Sequence, residues 1–334
     1  MSEVNPLPNV QYISREDAAK APPLSGYAQY MRKWRVMVAK TGGRTGAIEA
    51  SAIDVSNLRV SFYVEKSMNE TPNFSIVKIY NLAKPTISMI ERGDVVIIEA
   101  GYENGNYGMI FTGQIVQPSL SLEEGVDRVL TLVCQDGDTF YNDSWVSTTL
   151  GSGANGQTVI DACCADIGMG FVSQTITGGG LPRGKVIFGY AADYISDVAS
   201  GADAQMYVED GQLYVVGPED YGKGTAVELN PTTGLVGTPN QTDDGVSGQC
   251  LINPSIKLNT LIHIGSSLIL AQQATMSDGV VSYSQVSADG VYRIVKLVYE
   301  GDTHGDPWYC NFEAITQSGA KPDGLTDGAT NPWR

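Results

Sequence analysis

The sequence predicts a mainly β protein with a small α+β insertion, and two patterns indicate this fold class. Apolar and polar residues alternate along many short segments; in Asn57 to Glu65, for example, Leu58, Val60 and Phe62 share one face. In the middle of the chain the apolar spacing changes to i, i+3, i+4, i+7, the stripe of an amphipathic helix. At 334 residues the chain is long enough for two or three domains. We therefore expect a β domain on either side of a middle α+β module.

The first β domain is predicted between residues 34 and 140. Tight turns such as Asn104-Gly105 separate its strands, and one short helix begins at Pro85 and ends before Gly93. The predicted strands are Trp34 to Ala39, Asn57 to Glu65, Phe74 to Tyr80, Asp94 to Tyr102, Tyr107 to Val116 and Asp127 to Cys134. About six strands around one short helix are typical of an antiparallel barrel or sandwich.

The middle α+β module is predicted between residues 141 and 216. Cys163 and Cys164 lie on the apolar stripe of a helix that Gly168 ends, and the segment DYISDVASGADA repeats the same spacing. Asp210-Gly211 then joins two short strands, which is a strong hairpin signal. Two helices and a hairpin are enough for a small unit with its own core.

Alternation returns between residues 217 and 316, which we predict as a second β domain. Its strands include Val246 to Ile252, Leu258 to Ile264, Val291 to Glu300 and Trp308 to Ile315. A Pro-punctuated arm (residues 1–33) precedes the first β domain, and a Gly- and Pro-rich tail (residues 317–334) follows the second. We expect the arm to be an extended segment or a contact with a neighbour, and the tail to be loop or disordered; neither is expected to form a domain.

Charge and composition exclude several classes of function. The formal net charge is −16, whereas phosphate binding needs an excess of Lys and Arg, so sequence-specific nucleic-acid binding is excluded. An acidic surface repels DNA, which suits the wall of a DNA conduit, although solubility alone also explains acidity. No long uncharged apolar run predicts a membrane span. The N-terminus has no secretory signal, so we expect assembly in the cytoplasm.

Several phrases of the sequence, taken in order, resemble one protein family. NLRVSFYVEKS, FSIVKIYNL, GDVVIIEAGY, MIFTGQI and DRVLTLVCQDGD follow one another in the first domain. TGLVGTPNQTDDGVSGQCLINPSIKLNTLIHI from Thr233 and GVYRIVKLVYEGDTHGDPWYCNFEAI from Gly290 lie in the second. Over about residues 34 to 316 the chain resembles the baseplate hub proteins of contractile-tailed bacteriophages.

This resemblance implies two similar antiparallel β-barrel domains per chain, in a fold related to the hub portion of type VI secretion spike proteins. It further implies a homotrimer whose six barrel-like units join the six-fold tail tube to the three-fold spike and line the DNA channel. The implied partners are the tail tube protein, the spike protein and other baseplate proteins, and the implied location is the virion tail. The implied role is structural and not enzymatic.

Two histidines offer little catalytic or metal-binding chemistry. His304 lies between Asp302 and Asp306, but a metal site needs further ligands and a catalytic site needs a nucleophile. His263 lies inside an alternating strand. We interpret the segment around His304 as a polar hairpin turn, with Trp308 packed on the second β domain.

Three further patterns also have structural interpretations. No basic residue near Cys163 and Cys164 would activate a thiol, so we predict buried small residues there. The segment Asp136 to Asp138 lacks the spaced acids of a calcium loop and reads as a turn that ends a strand. Gly178 to Gly180 lacks the Lys-Ser or Lys-Thr pair of a phosphate loop. Five cysteines without a CxxC pair indicate neither a disulfide framework nor zinc. No catalytic, cofactor-binding or metal-binding residue is predicted.

The polar segment before residue 246 is predicted to be a loop at an interface, because loops on rigid scaffolds commonly carry contacts. The predicted interface residues are Gly237, Thr238, Pro239, Asn240, Gln241, Thr242, Asp243, Asp244 and Gly245. Two other function classes stay open. A tail-associated cell-wall hydrolase needs paired carboxylates or a Cys/His couple, and a receptor-binding adhesin usually has repeats or an aromatic-rich loop. The sequence contains no motif of either kind.

Overall fold

The computed structural model describes most of the chain between residues 29 and 316. The described residues are 29, 31–41, 48–103, 105–123, 125–173, 180–217, 226–242, 245–265, 268–269, 275–277, 280–282 and 290–316. Residues 1–28 of the predicted arm, the predicted tail (317–334), Gly178-Gly179 and Asp243-Asp244 lie outside them.

Most described residues lie in β-strands. The first seven strands are β1 (Arg32–Thr41), β2 (Ile48–Asp54), β3 (Val60–Ser67), β4 (Asn73–Tyr80), β5 (Val95–Tyr102), β6 (Tyr107–Glu123) and β7 (Asp127–Asp136), with helix α1 (Lys84–Ile87) after β4. The middle contains α2 (Asp138–Asp143), β8 (Trp145–Leu150), α3 (Gly156–Ile167), β9 (Phe171–Ser173), β10 (Lys185–Tyr190), α4 (Ala191–Gly201), β11 (Gln205–Glu209) and β12 (Gln212–Val216). The later strands are β13 (Val227–Glu228), β14 (Leu235–Gln241), β15 (Gly245–Leu251), β16 (Leu261–His263), β17 (Thr275–Ser277), β18 (Val280–Ser282), β19 (Val291–Asp302) and β20 (Trp308–Thr316). The mainly β prediction is confirmed.

One 13-stranded sheet contains the described strands of both predicted β domains except β17 and β18, which pair with each other. Its order is β14-β15-β20-β19-β3-β4-β7-β6-β5-β1-β2, with β16 beside β19 and β13 beside β16. The two halves meet where β3 and β19 pair antiparallel, with Val64 opposite Tyr299. Among the described strands this path does not close on itself, so the expected pair of barrels is not confirmed. In two separate closed barrels, β3 and β19 would each pair within their own barrel. Here they pair with each other, so that neither is left as an unpaired edge.

A shared apolar core reinforces the contact between the two halves. In β3 the residues alternate between buried and half-buried, and the buried set packs with residues of β19 and β20 in one cluster. Trp308 is buried in this cluster, with its ring centroid 5.6 Å from that of Phe62 and 6.2 Å from that of Trp34. Burying such aromatic side chains contributes roughly 1.5–3 kcal/mol each. The predicted packing of Trp308 is confirmed.

The middle module has a second core of its own. Asn155 caps α3 by accepting a hydrogen bond from the Thr158 backbone at 2.9 Å, and Gly168 ends the helix in the left-handed conformation. Cys163 and Cys164 are buried in this core, as predicted. Burial raises the pKa of Cys163 to about 11 and that of Cys164 to about 12, which keeps both thiols protonated.

The hairpin β11–β12 joins the module to the sheet. Its turn uses Asp210 and Gly211 with φ of 53° and 75°, the left-handed pair that the sequence predicts. Met206 and Val208 belong to the module core, whereas Tyr207, between them in sequence, belongs to the core of the sheet. The hairpin is therefore buried on both faces.

A buried ion-pair cluster fixes this hairpin against the sheet. Lys66 of β3 is only 2% exposed, and its ammonium lies 2.7 Å from Asp210 and 3.3 Å from Glu209. Lys257, in the loop before β16, lies 3.1 Å from the second Asp210 oxygen. These opposite charges raise the pKa of Lys66, although burial opposes ionisation. The cluster joins β3, the hairpin and the second half of the sheet.

Replacing Lys66 by Met will leave the carboxylates of Glu209 and Asp210 buried without their main cation. We expect the free energy of unfolding to fall by about 3–5 kcal/mol, the typical cost of breaking a buried ion pair. Lys296→Met is the matched control, because its partner Glu65 is more than one-third exposed and such pairs contribute below about 1 kcal/mol. Chemical denaturation measures both variants, and equal losses would contradict the role assigned to Lys66.

Candidate interfaces

The predicted interface segment lies at one edge of the large sheet. The loop prediction was wrong for Gly237 to Gln241, which belong to the edge strand β14; Thr242 follows it, and Gly245 begins β15. The pairing of β14 with β15 is irregular between Val236 and Asn240, where Gly237 is left-handed (φ 70°) and Pro239 lies. Edge strands tolerate proline because one side of their backbone needs no partner. Turn-forming residues were therefore compatible with a strand.

A groove of about 430 Å³ runs beside β14. Three of the predicted interface residues, Gly237, Thr238 and Asn240, form one wall. The remaining lining residues come from the second half of the sheet and include Gln249, Lys296, Asn311, Phe312 and Glu313. The groove thus combines amides, one cation and one carboxylate over an aromatic side chain.

Lys296, which lines the groove, belongs to a small polar network. Lys296 forms an ion pair with Glu65 at 2.8 Å, and the Tyr63 hydroxyl donates to the same carboxylate at 3.1 Å. The hydrogen bond and charge of Lys296 lower the pKa of Glu65 despite partial burial. The cation of the groove is therefore already paired within the chain.

The segment around Asp136 ends β7, as predicted, and also holds the hairpin turn. The Asp136 carboxylate accepts hydrogen bonds from the backbone N–H groups of Asp210 and Gly211. The Asn73 amide adds a hydrogen bond of 2.7 Å to the Val208 carbonyl. Burial raises the pKa of Asp136 to about 7, although the charge of Lys66 opposes this shift.

The segment around His304 forms the turn between β19 and β20, as predicted. Asp302 accepts hydrogen bonds from the backbone N–H groups of His304 and Gly305, and its other oxygen lies 2.7 Å from Arg59. Burial opposes ionisation of Asp302, but the bonds from Arg59 and from the turn keep its pKa below the usual range. His263 lies in β16. No group of three or more Cys, His, Asp or Glu residues among the described residues is arranged to hold a metal.

Sequence reasoning missed one exposed surface, on the two-stranded sheet β8–β10. Trp145, Phe188 and Tyr190 lie there with exposed fractions of 51%, 65% and 42%, beside Val186 at 67%. The Trp145 ring centroid lies 5.2 Å from that of Phe188 and 5.3 Å from that of Tyr190. We call these four residues the aromatic patch. A sequence signal for this surface was present: the alternation in WVSTTL and KVIFGY places these side chains on one face.

The family model for baseplate hub gp41 matches residues 75–314, which include elements from β4 to β20. The chain belongs to this hub family. Recognition of a phage baseplate hub protein from the sequence is therefore confirmed. The matched region contains the middle module, the later strands of the first half of the sheet and the second half, whereas β1, β2 and β3 precede it. No match to a curated protein was found for this hub family member.

Solved structures with the same fold include phage tail proteins. The 43 kDa tail protein of prophage MuSo2 from Shewanella oneidensis is 10% identical, with a TM-score of 0.54 over 85% of this chain and 99% of that one. A tail protein from Neisseria meningitidis is also 10% identical, with a TM-score of 0.54 over 89% and 98%. A third, from Escherichia coli, is described as a component of the type VI secretion system similar to T4 tail proteins gp27 and gp5. It is 9% identical, with a TM-score of 0.52 over 80% and 76%.

Among the described residues of this hub protein, no helix is both long and apolar enough to cross a membrane.

The raised pKa of Asp136 predicts a pH dependence of stability for this hub protein. The unfolded chain loses the Asp136 proton near pH 4, whereas the folded chain keeps it until about pH 7. The free energy of unfolding therefore falls as pH rises between these values, by at most about 1.4 kcal/mol per pH unit. We expect Asp136→Asn to gain stability relative to the wild type from pH 4 to pH 7.

Denaturation of both proteins at intervals between pH 4 and pH 8 measures this difference. Asp143→Asn, which removes an exposed carboxylate, controls for the change in net charge. A difference between wild type and Asp136→Asn that stays constant over the range would contradict the assignment. The absolute stability of the variant does not matter here, because Asn accepts only one of the two backbone hydrogen bonds well.

Proposed function

We propose that this protein is a structural hub subunit of a phage tail baseplate. It forms a homotrimeric ring that adapts the six-fold tail tube to the three-fold spike and lines the DNA channel. The observation that carries this proposal is the match of the baseplate hub family to residues 75–314. The similarity in fold to phage tail proteins and to a type VI secretion component supports it.

The internal organisation of the sheet agrees with a ring built from pairs of similar units. Each half contributes its own strands, most of them antiparallel, and among the described strands the two halves pair with each other along β3 and β19. Three chains with two such units each supply six positions for the tail tube. The division into two β-barrel domains (34–140 and 217–316) and an α+β module (141–216) is part of this proposal.

The proposed contacts of the hub lie along β14 and its groove, with Thr238, Asn240 and the neighbouring residues already named. We propose that neighbouring hub subunits, the tail tube protein, the spike protein and other baseplate proteins share such surfaces. The acidic excess is proposed to face the channel, where it would repel DNA phosphates. At physiological salt the field decays over roughly 8 Å, so only residues on the channel wall contribute.

The chain is proposed to act without catalysis, in the virion tail, after assembly in the host cytoplasm. Its buried carboxylates are used in structural contacts: Asp136 holds the hairpin turn, and Glu209 and Asp210 pair with Lys66. A hydrolase would instead need two carboxylates facing a substrate cleft.

Electron microscopy of the particle with this subunit labelled at its C-terminus tests the hub assignment. We expect three labels around the channel, at the junction between tail tube and spike, and carboxylates on the wall of the lumen. Labels elsewhere in the tail, or six around the axis, would contradict the proposed adaptor. A neutral or basic lumen would contradict only the proposed charge of the channel.

Substituting Lys for both Thr238 and Asn240 tests the proposed contact. Both side chains are exposed on the edge strand, so the thermal unfolding midpoint should stay within about 2 °C of the wild type, as for most surface changes. We expect particle yield to fall at least about tenfold, because two new charges in an interface stay unpaired. Ser255→Lys, at another exposed site, is the control. Normal yields from the double variant would exclude this surface as a contact.

A further inference from the structure

The aromatic patch is held rigidly by the fold of the middle module. On the opposite face of the same two strands, Val146 and Ile187 are fully buried in the module core. The Tyr194 hydroxyl contacts the backbone N–H and carbonyl of Phe188 at 3.2 and 3.3 Å. The backbone that carries the exposed rings is therefore held in place before any partner arrives, which lowers the entropy cost of binding.

The composition of the patch is that of a binding hot spot. Trp and Tyr are enriched among the residues that dominate protein interfaces. Contiguous exposed apolar side chains are uncommon on monomeric proteins and mark interaction sites. Each square ångström of this apolar surface that a partner covers contributes roughly 25 cal/mol. The patch is thus suited to burial against a partner.

The ring geometry favours a protein partner over a saccharide. Sugars stack on the flat faces of coplanar aromatic rings. Here the Trp145 ring stands nearly perpendicular to both neighbours, at 87° to Phe188 and 82° to Tyr190. Such edge-to-face rings form a knobbed surface that fits a side-chain pocket.

The charges around the patch indicate which kind of protein could bind there. Asp143 precedes Trp145 by two residues, and Asp193 follows Tyr190 by three. Ser147 lies opposite Phe188 in the strand pair, and its backbone nitrogen is 3.3 Å from the Asp166 carboxylate. Arg183 and Lys185 lie near the other end of β10. Residues 141–216 contain eight Asp and Glu residues but only two Lys and Arg. A second copy of this module would therefore meet like charge, whereas a partner with a basic rim would meet opposite charge.

We propose that the aromatic patch docks a different protein of the particle, one with an apolar pocket whose rim carries Lys or Arg. The inference rests on the proposed hub function, because it takes the partner to be another tail or baseplate protein. The basic rim lies against Asp143, Asp166 and Asp193, which fixes the orientation of the partner.

Photo-cross-linking in assembled particles tests this docking site. Benzoylphenylalanine replaces Phe188 in the full chain, and the particles are purified and irradiated. We expect one cross-linked protein other than this chain, joined at a segment that contains apolar residues next to Lys or Arg. The same label at Ser200, an exposed residue of α4, is the control and should not capture that protein. Benzoylphenylalanine in place of Val186 tests independently which protein contacts the same patch.

Charge reversal tests the basic rim. The double variant Asp143→Lys/Asp193→Lys should lower the yield of the cross-link at least about fivefold, whereas Asp161→Lys, on an exposed site of α3, should leave it unchanged. Circular dichroism and the thermal midpoint of each purified variant show whether it is folded.

The outcomes separate the inference from the proposed function. Cross-links only to another copy of this chain, or only to its own residues 1–28, would overturn the inference. So would irradiation products with glycan, or no product at Phe188 and Val186 in particles that contain the chain. Particles that assemble without the chain would instead overturn the proposed hub function.

Discussion

The arrangement of the described chain depends on one buried charge. The Lys66 ammonium lies inside the protein, and an unpaired charge there would cost several kcal/mol. Its partners Asp210 and Glu209 come from the hairpin of the middle module, more than 140 positions away in sequence. The charge is satisfied only when this hairpin lies against β3 in one position. The middle module therefore has one orientation on the sheet.

The polar groups around Lys66 specify this position more than they stabilise it. Apolar residues of similar size often replace a buried ion pair without loss of stability. What apolar residues lack is direction, and here each partner has a separate direction. Asp136 accepts from the turn backbone, Asn73 donates to the Val208 carbonyl, and Lys257 reaches Asp210 from the second half of the sheet. We interpret the cluster as the element that fixes the module, and with it the aromatic patch, relative to the sheet.

Sequence patterns predicted several local elements, because alternation and helical spacing are properties of short segments, but they missed short strands such as β2, β8 and β10. The hairpin at Asp210-Gly211 and the helix closed by Gly168 follow from such signals. The pairing of β3 with β19 joins residues more than 200 positions apart, and no local pattern contains it. One signal for the buried charge was present: alternation from Val60 through Val64 places Lys66 on the inner face. A lysine at an inward position indicates a buried partner.

At the candidate interface, sequence patterns predicted a loop where the structure has a strand. Gly237, Pro239 and Asn240 favour turns, but an edge strand accepts the same residues.

The consequence of such an edge concerns how copies of the chain assemble. A regular, unpaired edge strand adds further strands without limit, which leads to open aggregates. In β14 the left-handed Gly237 and the ring of Pro239 interrupt the backbone pattern that a new strand would need. Contacts at this edge must then use side chains in the adjoining groove. A head-to-tail contact of fixed angle is what a closed ring requires, so the irregular edge is compatible with the proposed trimer in a way that a regular edge is not.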